Sequence, residues 1–233
     1  MNTEFINLPP EYLKQLQNTL GKQQVMGDYL SRYAHATDAS FYSLIPQLVI
    51  QVANVNQLQQ VLILSTQHNV PVTFRAAGTS VSGQAISDSV LITLSTDWQN
   101  VELINGGKLV KAQPGIIGEK LNQLLLQTGH KIGPDPASIG SCKVGGIIAN
   151  NSSGMCCGVK NNSYHTLESM SLVLADGTYL DTSDIQSVNA FKQTHGSFLS
   201  ELATLSRQVK ETPELAELVK QKYRLKNTTG YGI

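Results

Sequence analysis

The chain has 233 residues, 41% hydrophobic and 15% charged, a balance that suits a compact body and excludes a disordered or fibrous one. Its 17 basic side chains offset its 17 acidic ones, so no long-range field advertises nucleic acid or an anionic membrane as partner. Any bound anion must be held by local geometry.

At the amino end, MNTEFINLPPEYLKQL has no basic stretch ahead of an apolar core, and no signal peptide is expected. No apolar run approaches the roughly 20 residues that span a bilayer. Pro9 and Pro10 open a short helix that Gly21 closes. The apolar run 48–53 reads as a strand. Asn56 is placed to cap the following helix, where Leu58, Val61, Leu62 and Ser65 recur at helical spacing. A second strand, VPVTF over 70–74, completes a βαβ unit whose crossover sets the two strands parallel.

A glycine- and serine-rich loop, RAAGTSVSGQAISDS, leads into a strand at 90–94. Residues 101–112 alternate around Gly106–Gly107 and predict a hairpin. Pro114–Gly115 breaks it, and an amphipathic helix follows, ended by Gly129. Residues 133–158 form a second glycine-rich region with almost no charge. SMSLVLADGTYLDT is a hairpin turning at Asp176–Gly177, and 184–224 reads as mainly helical.

Arg75-Ala-Ala-Gly78-Thr-Ser80-Val-Ser-Gly83-Gln directly follows a strand. Small residues there let backbone amides converge on an anion, hydroxyls add donors, and Arg75 adds charge. The loop matches neither GxGxxG nor GxxxxGK[ST], so the common dinucleotide and triphosphate signatures fail; alone, it reads first as an ordinary tight connection and only second as a phosphate site. The second region places Gly140, Gly145, Gly146, Gly154 and Gly158 among Asn150, Asn151, Ser152 and Ser153. Val144, Ile147 and Ile148 mark it as partly buried. Two such regions point to a large, flat cofactor with a pyrophosphate.

Other reactive residues are set aside. His35, His68, His130, His165 and His195 are scattered without ligand spacing. Cys142, Cys156 and Cys157 form no CxxC, and an odd number with one adjacent pair is a poor disulfide framework, so a reduced, cytoplasmic setting is expected. No metal site is expected.

The run PVTFRAAGTSVSGQAI, then GPDPASIG and VGGIIANNSSG, then LADGTYLDT, closely resembles the FAD domain of the vanillyl-alcohol-oxidase/p-cresol-methylhydroxylase (PCMH) superfamily. The nearer likeness is to its D-lactate and D-2-hydroxyglutarate dehydrogenase branch. The closing KNTTGYGI resembles large bacterial members that carry an iron–sulfur region after the flavin half. The resemblance covers residues 25–233. It implies an α+β, two-subdomain PCMH-type FAD-binding fold, with the cap and C-terminal domains of longer relatives absent. Residues 1–40 would be a helical lead-in, 41–100 the first subdomain and 101–233 the second with its helical end. Tyr33, Ala36 and Asp38 match the segment ahead of the first strand and read as structural.

By the same resemblance, Arg75, Ala76, Ala77, Gly78, Thr79, Ser80, Gly83 and Gln84 would hold the pyrophosphate and ribityl chain. Pro134, Asp135 and Pro136 would lie along the cofactor near the flavin, with Ser138, Gly140 and Ser141 joining its contacts. Gly145, Gly146, Asn150, Ser153 and Gly154 would line the second wall. Members that bind flavin covalently through the first loop carry histidine where Thr79 stands, so FAD is expected to be noncovalent.

The implied reaction is oxidation of a small D-2-hydroxy acid of the lactate or 2-hydroxyglutarate type, the flavin taking hydride while a base removes the hydroxyl proton. In longer relatives the cap that grips the substrate follows the FAD domain. The C-x₂-C-x₂-C-x₃-C pattern of the iron–sulfur region is not in this sequence. No catalytic base is assigned, and the isolated chain is expected to be inactive, a downstream domain or partner chain supplying the rest. The longer enzyme would be cytoplasmic or peripheral to the inner membrane. A non-catalytic FAD-binding remnant and the flavin subunit of a heteromeric dehydrogenase stay open as readings. A MurB-like reductase fits less well, because its motifs differ after the first loop.

Overall fold

The computed structural model describes residues 7–224, so the KNTTGYGI segment lies outside the described residues. Helix α1 (Pro10–Leu20) buries Tyr12, Leu16 and Leu20, one side chain per turn, and ends at Gly21 with φ 86°. Strand β1 (Val25–Met26) and helix α2 (Tyr29–Ala34), capped by Asp28, lead to β2 (Leu48–Val52). Helix α3 (Val55–Gln67) then connects to β3 (Val72–Arg75), and the long first loop returns the chain to β4 (Val90–Leu94).

These strands form one sheet in the order β1-β2-β4-β3. Strands β2 and β3 share a direction, as the βαβ pattern requires, but neither pairs with the other. Strand β4 lies between them, parallel to both, with Ile50 opposite Ile92 and Phe74 opposite Ile92. Its Val90, Leu91 and Ile92 are fully buried, which fits a central parallel strand covered on both faces. Helix α3 starts earlier than expected. Asn54, not Asn56, is its cap, because an extended backbone at Asn54 aims its Oδ1 at the Gln57 amide (3.0 Å). The Gln57 side chain reaches back to accept from the Ala53 amide.

The core under this sheet joins Tyr12, Leu16, Ile50, Val61, Leu62, Ile92 and Trp98. Inside it the Tyr12 hydroxyl pairs with Ser65, and the Trp98 indole N–H donates to the Val52 carbonyl. A second core of Ile116, Leu121 and Leu125 gathers under the expected hairpin, β5 (Val101–Ile104) with β6 (Leu109–Ala112), and helix α4 (Gly118–Leu126). Two short helices follow, α5 (Val144–Ala149) and α6 (Ser163–Thr166). The second hairpin, β7 (Ser171–Val173) with β8 (Tyr179–Asp181), turns at Asp176–Gly177 as read from sequence. That turn docks on α3, with Gln59 donating to the Gly177 carbonyl and Thr66 to that of Ala175. Helices α7 (Ile185–Thr194), α8 (Gly196–Glu211) and α9 (Pro213–Tyr223) finish the described chain, and α8 and α9 bury no residue. Among the described residues no helix is long and apolar enough to cross a membrane.

Two glycines separate backbone strain from packing. Gly106 (φ 66°) has open space where a Cβ would stand, whereas at Gly177 (φ 85°) a Cβ would overlap the Ile63 side chain. Gly106→Ala is expected to cost only the left-handed penalty, about 1–2 kcal/mol. Gly177→Ala should cost about 2–4 kcal/mol, because the docked turn must also shift. Chemical denaturation compares them; equal losses would show that the turn does not bear on α3.

Candidate functional site

The two glycine-rich segments meet in space. A Cβ built on Gly146 would stand 3.6 Å from the Ala76 Cβ, so α5 and the loop after β3 face each other across a gap with no side chain on one side.

In the first loop, residues 75–80 are half-buried, yet the amides of Ala76, Ala77, Gly78, Thr79 and Ser80 have no acceptor among the described residues. Backbone donors withdrawn from water without a partner are costly, so a row of them implies water or an anion beside it. Side chains shape the loop instead. Ser80 Oγ accepts from the amides of Ser82 and Gln84 and bonds the Gln84 side chain. Gly78 and Gly83 take left-handed conformations, φ 72° and 73°, and Tyr42 packs over Gly83.

Arg75 does not project freely. Its Nη1 donates to the carbonyls of Thr37 (2.8 Å), Ala85 (3.3 Å) and His35 (3.4 Å). Burial lowers its pKa while nearby Asp38 raises it, leaving it below the ordinary value but still charged. Asp38 in turn accepts from the amides of Ser40 and Ala85. Asp38 reads from sequence as structural and is not joined there to the loop, since nothing in the order of residues places 38 beside 85.

The second segment holds a helix that its glycines do not favour. It is fixed from outside, the Val144 amide donating to the Ile116 carbonyl and the Gly145 amide to that of Pro114, each 2.9 Å. The third amide of that turn, on Gly146, has no acceptor among the described residues, and it is the missing side chain of Gly146 that faces Ala76. Ile147 is buried and Val144 and Ile148 partly so, as their apolar character suggested. Gly145 is required by contact, since a Cβ there would press on Pro114 at 2.8 Å.

Pro134 is buried, and beside it Asp135 ties two stretches together, its carboxylate accepting from the amides of Cys156 (3.1 Å) and Cys157 (3.2 Å). A Cβ on Gly154 would coincide with Asp135, so only glycine fits there. Burial pushes the Asp135 carboxyl up, but the donors of Cys157 and Cys156 outweigh it and hold it below the usual range. Ser153 is buried, while Asn150 stands exposed at the end of α5. Ser138 and Ser141 bond within their own turn, and Gly140 faces Glu119 instead of the first loop.

Lys143, just ahead of α5, drew no attention in the sequence although it is the sole cation of the low-charge second region. It is half-buried, no bond to its ammonium is found among the described residues, and burial lowers its pKa. Shallow concavities of about 370 and 340 Å³ lie elsewhere, one against Asn54 and Trp98, the other against Thr66 and Ala175. Neither includes a residue of the glycine-rich segments. What the two segments offer together is a run of amides without acceptors among the described residues, beside a glycine that leaves out its side chain, an arrangement suited to an anionic ligand that needs close backbone approach.

A family model described as an FAD binding domain matches residues 46–183, more than half of the chain. A D-2-hydroxyglutarate dehydrogenase of Pseudomonas putida is 29% identical over 233 residues, which cover 96% of this chain and 23% of that protein. The glycolate oxidase subunit GlcD of Escherichia coli is 28% identical over 143 residues, 60% of this chain and 29% of that subunit. Among solved structures, an alkyldihydroxyacetonephosphate synthase shares the fold with a TM-score of 0.63 at 20% identity, over 80% of this chain and 40% of that one. The chain thus spans about a quarter of the length of the curated relatives it matches.

The Asp135 tether has a testable sign. Because the folded carboxyl titrates below its unfolded value, the tether stabilises above the ordinary carboxyl range and loses its contribution as pH falls through the folded value. Asp135→Asn should lower stability at pH 7 by about 1 kcal/mol, allowing for water at the partly exposed carboxylate. The gap to the unmodified protein should narrow on acidification. A gap that widens toward low pH would contradict the tether.

Proposed function

We propose, from the premise that the chain belongs to the FAD binding domain family of the vanillyl-alcohol-oxidase/PCMH superfamily, that its two glycine-rich segments hold FAD noncovalently for the oxidation of a D-2-hydroxy acid. The observation that carries this reading is the half-buried row of free amides from Ala76 to Ser80, set against the side-chain-free Gly146. The fit is chemical as well as steric. A pyrophosphate has oxygens for several N–H donors at once, and this loop has several that no acceptor among the described residues takes.

Within this reading the backbone of Ala76–Gln84 takes the pyrophosphate and ribityl chain, with the Thr79 hydroxyl as an added donor. Gly145 and Gly146 let the flat portion approach α5. Pro134, Asp135 and Pro136 pass along it, with Asp135 keeping Gly154 and Ser153 against that side. Ser138, Gly140, Ser141 and Asn150 are outer members, being tied to their own turn or exposed. Residues 41–100 and 101–233 serve as the two subdomains between which the cofactor lies. Bound FAD supplies a two-electron acceptor; the protein supplies position, dryness and charge. Thr79 offers no ring nitrogen for a covalent link.

The 2-hydroxy acid and its carboxylate clamp belong to the larger protein. In the two glycine-rich segments the cationic side chains are Arg75, bonded to carbonyls, and Lys143. Exposed apolar side chains flank both segments, with Phe41, Val81 and Met155 at least 74% accessible. Such surface is suited to cover by a further domain or partner chain. The relatives' greater length supports the same division of labour, and an iron–sulfur region would belong to that remainder.

The purified chain, reconstituted with FAD, should release all its yellow colour into the supernatant on acid precipitation. Flavin in the pellet would refute noncovalent binding, and no binding at saturating FAD would refute the site. Gly146→Val should weaken FAD binding roughly tenfold or more, from crowding worth about 1–3 kcal/mol against Ala76. Anaerobic addition of D-lactate or D-2-hydroxyglutarate to the FAD-loaded chain should leave the flavin oxidised. Rapid, stereoselective bleaching would place a whole substrate site within these residues.

A further inference from the structure

We propose that Arg75 and Asp38 act as one positioning clamp that sets the shape of the first loop, and that Arg75 is not a phosphate ligand. The inference rests on the reading that this loop holds FAD, and it reassigns the most conspicuous charge in that loop.

The geometry is that of a fastener. Arg75 stands where β3 ends and the loop begins; Ala85 stands where the loop closes and is buried. Arg75 Nη1 donates to the Ala85 carbonyl, and Asp38 Oδ2 accepts from the Ala85 amide, so both ends of one peptide residue are gripped by opposite charges. The same Nη1 reaches the carbonyls of Thr37 and His35, and the Ala39 amide donates to the Gly78 carbonyl at 3.0 Å. Residues 35–40 therefore line the loop as a splint.

The guanidinium also explains Gly78. A Cβ at that position would stand 2.5 Å from Arg75 Nη2 and 2.7 Å from its Cζ, so the guanidinium occupies the space that any side chain would need. A guanidinium can lay its flat face on a glycine while one of its nitrogens donates to several carbonyls; an ammonium has donors but no such face. Asp38 completes the balance, since a partly buried guanidinium without a nearby anion carries its full desolvation cost. With the loop's shape fixed by these side chains, the amides of Ala76 to Ser80 are spared for a ligand.

The test reads the cofactor-free protein, so it stands whether or not FAD binds. Amide hydrogen exchange over residues 76–85 and 36–40 is measured in the unmodified chain and in Arg75→Gln, Arg75→Lys, Asp38→Asn and the double variant Arg75→Gln/Asp38→Asn. The clamp predicts at least about tenfold faster exchange of the Ala85 and Ala39 amides in both Arg75 variants and in Asp38→Asn. The double variant should be little worse than the more affected single one, because the two groups act together. Lysine should restore neither protection nor FAD affinity. Unchanged exchange in Asp38→Asn would overturn the proposal even if the Arg75 variants fail to fold. So would unchanged exchange in Arg75→Gln, or an FAD affinity that Arg75→Gln lowers and Arg75→Lys restores, since that pattern belongs to a charge facing phosphate.

Discussion

A loop that offers its amides to a ligand must be held in shape by something other than those amides. Between β3 and β4 five successive half-buried residues have amides with no acceptor among the described residues, which would favour collapse onto any nearby carbonyl. Side chains take over the task. Ser80 closes the far half of the loop on Gln84, and Arg75 with Asp38 fastens the near end to Ala85 and to residues 35–40. The sheet supplies the rigid base, because β4, where the loop delivers the chain, is its most deeply buried strand. Stability in the sheet and openness in the loop are two sides of one arrangement.

The second wall follows a different rule. There, close approach is achieved by leaving side chains out. Gly145 lies on Pro114 and Gly154 on Asp135, neither with room for a Cβ, while a Cβ on Gly146 would just meet Ala76. A helix so rich in glycine is weak by itself, and hydrogen bonds from its first amides to the Ile116 and Pro114 carbonyls hold it from outside. The second core, built on Ile116, Leu121 and Leu125, is thus what positions α5 against the first loop. The wall is only as firm as that core.

Much of this was legible in the residues. The strands at 48–52, 72–75 and 90–94, both hairpins, α4 and the helical end follow from periodicity, glycine and proline. The order of motifs identified the FAD-binding family, which the match over residues 46–183 bears out. The start of α3 was misjudged by two residues because Asn54 and Asn56 are equally good caps on paper, and backbone geometry chose between them. Helix α5 was not foreseen, since its stability comes from partners some 30 positions away in sequence.

The sequence by itself determined which segments are regular, where the chain must turn, and that two glycine-rich stretches carry the family's signature. Local propensity and the spacing of small residues are sufficient for that. Only the tertiary structure decided that β4 separates β2 from β3, that Gly146 faces Ala76, and that the Arg75 charge is turned onto carbonyls of residues 35–37. A guanidinium in a loop has the same composition whether it meets a phosphate or three carbonyls. What distinguishes the two is which distant backbone lies within hydrogen-bond reach of it, and that is fixed by long-range packing.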